Sequence, residues 1–165
     1  MGGKLLKSTF IYKTPLGKVY ISENGKSLTA LAFLTDDENI CMDFLNETYL
    51  LKEAYTQLIE YFNGTRKQFS IPLEPEGTVF QQKVWQALLE IPYGETRSYQ
   101  DIATYIGNPK ACRAIGMANH RNPIGIMIPC HRVIGKNGSL TGYAGGIHYK
   151  KYLLDLEMEK SYGNP

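Results

Sequence analysis

The chain has 165 residues, 43% of them hydrophobic, and its 18 Lys and Arg against 16 Asp and Glu give a net charge of +2. This length suits one compact domain or two small ones with an ordinary core. The sequence has no apolar run of transmembrane length and no basic-then-apolar leader, so we expect a cytoplasmic protein without a membrane partner. Its cysteines, Cys41, Cys112 and Cys130, are too widely spaced for a disulfide framework or a zinc-type pair, which favours a reducing compartment.

The first half of the chain predicts a small scaffold domain. Antiparallel strands are predicted at 9–13, 18–23 and 27–34. Asn24-Gly25 is a hairpin signal because both residues tolerate positive φ. A helix is predicted from about Thr48 to Phe62, with Gly64 suited to its C-terminal cap. This half has no catalytic pattern, and Cys41 is interpreted as an ordinary buried or partly exposed residue.

An extended linker is predicted at 69–77, which contains two prolines, a glycine and few helix formers. We therefore predict an N-terminal scaffold domain at 1–74 and a C-terminal domain at 75–165. The first helix of the second domain begins after Thr78, which can form a capping box with Gln81.

Two further helices predict a helix-turn-helix. Ser98 suits the N-cap of a short helix that ends near Ile106, and Asn108 is predicted to cap the next helix, with Pro109 at its first position. This last helix carries mainly Ala, Gly and Cys side chains together with Arg113. Small side chains allow a close approach to the minor groove of DNA, and an Arg can replace a base lifted from the stack. Packing without DNA binding is the alternative, since many helical pairs bind nothing.

Positive charge is concentrated around this region. No Asp or Glu occurs between Asp101 and Asp155. The same stretch contains all three histidines and the basic residues Lys110, Arg113, Arg121, Arg132, Lys136, Lys150 and Lys151. This distribution indicates a polyanionic partner, with a solvated basic face as the alternative.

A cysteine directly before a histidine is the strongest catalytic candidate. The thiolate of Cys130 would be the nucleophile, and the neighbouring His131 and Arg132 are expected to lower its pKa. Pro129 is expected to end a strand that delivers the thiol, and Asn122 to hold the turn before that strand. The alternative is an ordinary buried cysteine.

The segment after the thiol contains three further expected features. Residues 136–138 are a hairpin signal after a strand at Val133-Ile134. A glycine-rich loop comes next, in which Tyr143 is suited to form the wall of a ligand pocket. The final helix, at about 147–158, is expected to bury Tyr149, Leu153 and Leu156. One of its acids, Asp155, Glu157 or Glu159, is a candidate to orient His131.

Several separated segments together resemble the O6-alkylguanine-DNA alkyltransferases. The matching segments are Ser98-Tyr99-Gln100, Asn108-Pro109-Lys110-Ala111, Arg113-Ala114-Ile115-Gly116, Arg121-Asn122-Pro123, Ile128-Pro129-Cys130-His131-Arg132-Val133-Ile134, Gly142-Tyr143-Ala144-Gly145-Gly146, and Leu153-Leu154 with Glu157. The resemblance covers about Val79 to Glu157 and is specific because the segments occur in one order. It implies an α+β fold with a ribonuclease H-like N-terminal domain and a mostly helical, winged-helix-like C-terminal domain.

The resemblance also implies catalytic roles. Cys130 would accept the alkyl group, and His131, held by Glu157, would take its proton through a water. Tyr99 would protonate the departing guanine, and Asn122 would brace the active-site turn. The product would be a thioether, so each molecule would act once, on O6-alkylguanine and on O4-alkylthymine.

The family's DNA-binding residues correspond to positions on and near the helix that carries Arg113. Arg113 itself would fill the gap left by the flipped nucleotide. Lys110, Ala111, Gly116 and Arg121 would contact double-stranded DNA in the minor groove. A monomer without a cofactor is expected.

The base pocket would be lined by Val133, Tyr143, Ala144 and Gly145. Some relatives have a serine at the position of Ala144, so here only a backbone N–H can bond the guanine oxygen. Some relatives bind zinc in the N-terminal domain, but this half has only Cys41 and no histidine, so no metal is expected.

Two other functions remain open on sequence grounds. One is a module that binds alkylguanine without removing the alkyl group, in which case Cys130 would stay unmodified. The other is a Cys-His hydrolase, which would turn over many times.

Overall fold

The computed structural model describes residues 7–35, 45–141, 143 and 146–162. The chain forms two compact units, Met1–Pro75 and Glu76–Pro165. Within the described ranges, no helix is long and apolar enough to cross a membrane. Cys41, Ala144 and Gly145 lie outside the described residues, so the interpretations of these three positions stay predictions.

The first unit contains the predicted antiparallel meander and helix. Its elements are β1 (Ser8–Thr14), β2 (Gly17–Glu23), β3 (Leu28–Phe33) and α1 (Tyr49–Phe62), and the strand order is β1-β2-β3. Thr48 caps α1 by accepting a hydrogen bond from the N–H of Leu51. Alternate residues of the strands, such as Val19 and Ile21, are fully buried, as are Leu51 and Leu58 of α1.

The connection between β2 and β3 differs from the two-residue turn that its sequence suggests. Only Gly25 has a positive φ, of 95°. The side chain of Asn24 instead accepts hydrogen bonds from the N–H groups of Lys26 and Ser27. The hairpin is confirmed, but an Asx turn lengthens its loop.

The second unit is mostly helical. Its elements are α2 (Val79–Leu89), β4 (Arg97–Ser98), α3 (Tyr99–Tyr105), α4 (Cys112–His120), a 3₁₀ turn (Cys130–Arg132), β5 (Val133–Ile134) and α5 (Ile147–Tyr162). Both predicted N-terminal caps are confirmed: Thr78 forms a capping box with Gln81, and Ser98 forms one with Asp101. The α+β class is therefore confirmed.

The predicted start of α4 is wrong. The N–H of Ala111 donates to the carbonyl of Asn108, which closes a turn over 108–111, and α4 begins only at Cys112. Asn108 and Pro109 therefore belong to the connection after α3. No side chain caps α4, since Ala111 occupies the cap position.

The predicted strand before Cys130 is also wrong. Residues 125–127 form a turn, and Ile126 has a φ of 70°, an unusual value for a β-branched residue. The apolar run is buried, as expected, but in a compact turn whose Ile128 N–H donates to the carbonyl of Ile124. A continuous apolar run in the sequence is expected both for a buried strand and for a buried turn, which explains the error.

Two expectations about the last third of the chain are corrected. The strand β5 pairs in parallel with β4, whereas residues 135–139 form only a tight turn closed by the N–H of Gly135 and the carbonyl of Ser139. Helix α5 continues to Tyr162 and buries Lys150, Leu153 and Glu157. Tyr149 and Leu156, which were expected in the core, are only half-buried.

Candidate active site

Cys130 lies at the first residue of the 3₁₀ turn, and only 5% of its surface is exposed. Two asparagine amides fix the backbone around it. Asn119 Nδ2 donates to the carbonyl of Cys130 at 3.2 Å, and Asn122 Nδ2 donates to the carbonyl of Ile128 at 2.8 Å. Asn122 Oδ1 in turn accepts from the N–H of Ile124 at 3.0 Å. The nucleophile candidate therefore sits on a rigid, hydrogen-bonded turn.

Burial raises the pKa of the Cys130 thiol above its ordinary value, because a thiolate is costly in an apolar interior. A hydrogen bond from Asn122, the charge of Lys150 and the backbone N–H of His131 act in the opposite direction. The expectation that the His131 and Arg132 side chains lower this pKa is wrong, since both side chains bind Glu157 instead. The thiol is protonated in the resting protein and needs a base or a cation to react.

Glu157 of α5 is the centre of a buried ionic cluster. Its Oε1 lies 2.7 Å from Nε2 of His131, and Arg132 donates from Nε and Nη2 at 2.9 Å to the two carboxylate oxygens. Desolvation raises the pKa of Glu157, but the hydrogen bonds and positive charges of these partners outweigh it and lower the pKa to about 2. The carboxylate is thus ionised throughout the neutral range.

The same cluster sets the protonation state of His131. Burial lowers the pKa of its imidazole, although Glu157 opposes the shift, so the ring is neutral at neutral pH. Because an ionised carboxylate only accepts, Nε2 carries the proton and donates to Glu157. Nδ1 then has a free lone pair and finds no hydrogen-bond partner among the residues that the structure describes. His131 is therefore poised to accept a proton at Nδ1.

Sequence reasoning missed the role of Arg132. Besides binding Glu157, its Nη1 donates to the carbonyl of Ile91 at 2.6 Å, just beyond the end of α2. Its guanidinium also lies 5.7 Å from the ring centroid of Tyr93. Arg132 thus joins the 3₁₀ turn to α5 and to the residues after α2. The acids of α5 are the first after Asp101 in an otherwise basic stretch, and this scarcity of anionic partners was the available signal.

Lys150 is the second residue that sequence reasoning missed. It is fully buried on α5, and its Nζ donates to the carbonyls of Val133 and Thr141. Burial lowers its pKa to about 8, while an ionised Cys130 would raise it. Lys150, Leu153 and Glu157 have an i, i+3, i+7 spacing, so one buried face of α5 presents a cation and an anion. That spacing was the available signal.

Two of the four predicted pocket residues, Val133 and Tyr143, are described. Val133 is fully buried, and burial together with the charge of a Cys130 thiolate raises the pKa of Tyr143 well above its ordinary value. The Tyr99 hydroxyl donates to the carbonyl of Thr141 at 3.0 Å, and its ring centroid lies 5.9 Å from Lys150 Nζ. Tyr99, Lys150 and Thr141 therefore form one connected group.

The predicted DNA-binding residues lie on and around α4. Lys110, Arg113 and Arg121 are exposed, whereas Ala111 and Gly116 are half-buried. A Cβ atom at Gly116 would lie 3.9 Å from the Tyr99 ring, in ordinary contact. Since Asn119 of the same helix donates to the Cys130 carbonyl, α4 is physically linked to the thiol.

The described part of the chain holds no cluster of three His, Cys, Asp or Glu side chains able to bind a metal ion. Its chemistry is that of a buried thiol, a neutral imidazole fixed by a carboxylate, a buried ammonium and a phenol. Such a set can carry out attack by sulfur on an electrophilic carbon, with proton transfer to the imidazole.

Comparisons with known proteins give a consistent result along the chain. Residues 9–75 match the family model of the 6-O-methylguanine DNA methyltransferase, ribonuclease-like domain, and residues 79–159 match that of its DNA binding domain. A methylated-DNA--protein-cysteine methyltransferase of Methanosarcina barkeri is 50% identical over 149 residues, covering 89% of this chain and 94% of the relative. The constitutive enzyme of that name from Bacillus subtilis is 53% identical over 151 residues, covering 88% and 92%.

Solved structures show the same similarity. The O6-methylguanine methyltransferase of Mycobacterium tuberculosis superposes with a TM-score of 0.87 at 43% identity, covering 96% of this chain and 97% of that one. The Mycobacterium tuberculosis protein in complex with DNA superposes with a TM-score of 0.85 at 45% identity, covering 93% and 94%.

Proposed function

Because the chain belongs to the 6-O-methylguanine DNA methyltransferase family, we propose that it repairs DNA by moving an alkyl group from O6-alkylguanine to Cys130. O4-alkylthymine is proposed as a second substrate, and the reaction consumes the protein. The observation that carries the proposal is the buried thiol of Cys130, which feels the charge of Lys150 and directly precedes the imidazole held by Glu157. We further propose that 75–165 is the DNA-binding and acceptor domain, that 1–74 is a scaffold, and that the protein is a cytoplasmic monomer.

The chemical step forms one carbon–sulfur bond and breaks one carbon–oxygen bond. The thiol proton passes through a water to Nδ1 of His131, whose Nε2 stays bound to Glu157. The thiolate attacks the alkyl carbon, and the electron pair of the broken bond stays on the guanine. Tyr99 supplies the proton that the departing base requires, by redirecting the hydroxyl that now binds the Thr141 carbonyl.

The remaining site residues position the thiol and the base. Asn122 holds the turn that carries the thiol, and its amide also favours the thiolate. Val133 and Tyr143 border the base, and Ala144 and Gly145 are proposed to contribute backbone N–H groups to it.

DNA binding is consistent with the composition of α4. A base alkylated at O6 cannot meet a buried thiol while it is stacked, so the nucleotide must leave the duplex. We propose that α4 enters the minor groove, that the small Ala111 and Gly116 allow a close approach, and that Lys110 and Arg121 bind phosphates. Arg113 then fills the gap left by the flipped nucleotide.

Intact-mass spectrometry tests the function directly. Incubation with excess duplex containing O6-methylguanine should add one methyl group per protein molecule, and peptide mapping should locate it on Cys130 rather than on Cys41 or Cys112. Tight binding with an unmodified thiol would instead indicate a lesion-binding module. Turnover beyond one equivalent would indicate a hydrolase.

Arg113→Ala should slow repair of duplex DNA at least about a hundredfold more than it slows reaction with free O6-methylguanine base, because only the duplex needs its gap filled. Single-turnover rates with both substrates measure the difference. Arg113→Lys keeps the charge without the planar guanidinium and should recover only part of the duplex rate. Equal losses on the two substrates would mean that Arg113 supports the fold or the thiol instead.

A further inference from the structure

The outer face of α4 carries one large apolar side chain that the proposed repair reaction does not use. A helix turns by about 100° per residue, so the buried Ile115, Ala118 and Asn119 mark one side of α4. Arg113 and Met117 lie on the opposite side. Met117 is 55% exposed, so its side chain is available to a partner.

Met117 lies one helical turn after Arg113, about 6 Å further along the helix axis. Its neighbours Ala114 and Gly116 are small, so they leave its thioether projecting beyond the helix surface. The stretch around α4 contains no acid, which gives this face the charge complementary to a phosphate backbone. The apolar side chain is thus carried by a basic surface that fits DNA.

The chemistry of methionine suits the minor groove. The walls of the groove are formed by deoxyribose rings, whose C–H groups are apolar, and Met is one of the side chains that proteins insert between base steps there. Its three rotatable bonds let it adapt to different base pairs, so such a contact would not depend on sequence.

We propose that Met117 is a DNA-contacting residue that packs in the minor groove one step from the flipped nucleotide and holds the opened duplex. The inference rests on the proposed function, because it takes α4 to be the helix that meets DNA. It adds an apolar contact, distinct from the gap filling assigned to Arg113 and from the phosphate contacts of Lys110 and Arg121.

The test compares Met117→Ala, Met117→Leu and Met117→Gln with Met158→Ala. Met158 is a matched control because it is exposed to a similar extent, 57%, and lies on a different helix, α5. Dissociation constants are measured at two salt concentrations for a duplex containing O6-methylguanine, with Cys130 replaced by serine in every protein so that the lesion is not consumed. Reaction rates are measured with the free O6-methylguanine base, on proteins that keep Cys130.

Met117→Ala and Met117→Gln should weaken duplex binding about tenfold, as expected for losing the burial of half an apolar side chain. Met117→Leu should keep most of the affinity. The salt dependence should not change, because no charge is lost, and the free-base rate should stay at the wild-type value. Met158→Ala should behave as wild type.

Unchanged duplex affinity in Met117→Ala, or an equal loss with the free base, would overturn the inference. The binding measurement does not depend on alkyl transfer, so it decides the role of Met117 even if the wild-type protein transfers nothing. Absence of transfer by the wild type would count against the proposed function alone.

Discussion

Cys130→Ser is expected to abolish alkyl transfer while duplex binding stays within about twofold of wild type. A serine hydroxyl is a far weaker nucleophile than a thiol at neutral pH, even with His131 as base. The backbone hydrogen bonds from Asn119 and around Asn122 do not involve the sulfur, so the turn should persist. Transfer is measured by intact mass, and binding of both proteins is measured by fluorescence anisotropy with an unmethylated duplex, which the wild-type protein cannot consume.

Cys112→Ser is the matched control for this experiment. Cys112 is half-buried at the start of α4, and its Sγ contacts Gln100 Oε1 at 3.2 Å, which a serine hydroxyl can also do. This variant should transfer one equivalent at close to the wild-type rate. Residual transfer in Cys130→Ser, or its loss in Cys112→Ser, would move the acceptor role away from Cys130.

Local signals in the sequence were sufficient for the helices and the meander. The capping residues Thr78 and Ser98 fixed two helix starts, because a side-chain oxygen that accepts from the first turn acts within four residues. Asn108 carried the same signal at a turn and misled the prediction, since Asn suits turns as well as N-caps. An Asn of this kind therefore marks a change in backbone direction without distinguishing a helix start from a turn.

The sequence predicted only those residues of the candidate site whose residue type alone indicates a chemical role. Cys130 and His131 stand out in the sequence, and an acid on the last helix was a natural partner for the imidazole. The state of the other site residues depends on which side chains the fold buries, and the sequence pattern does not show this. Lys150 would be read as a solvated cation, yet it is fully buried, because two backbone carbonyls satisfy its ammonium group.

The pKa of the thiol is another property that depends on packing. Neighbours in sequence suggested a depressed pKa, whereas burial raises it and the two adjacent side chains turn toward Glu157. A protonated resting thiol is protected from unwanted reactions. Activation then depends on the base at Nδ1 of His131 and on the charge of Lys150.

Lys150→Met is expected to slow alkyl transfer about a hundredfold at neutral pH, on the scale by which a nearby opposite charge shifts a buried pKa. The ammonium group lowers the pKa of Cys130, so removing it raises that pKa further and leaves less thiolate. Methionine has nearly the same length and no charge, although it leaves the Val133 and Thr141 carbonyls without their donor. Single-turnover rates across the pH range measure the effect.

The sign of the pH effect separates an electrostatic role from a structural one. Because the pKa of Lys150 is about 8, its charge is present at pH 7 in the wild type. Loss of that charge should move the rising limb of the pH–rate profile to higher pH, and the deficit should shrink as pH increases. A misfolded variant would lose activity at every pH. Lys151→Met is the matched control, since Lys151 is exposed and pairs only with Asp155 among the contacts described for it. An unshifted profile in Lys150→Met, with the fold retained by circular dichroism, would remove Lys150 from thiolate stabilisation and leave activation to His131 and the Asn122 amide.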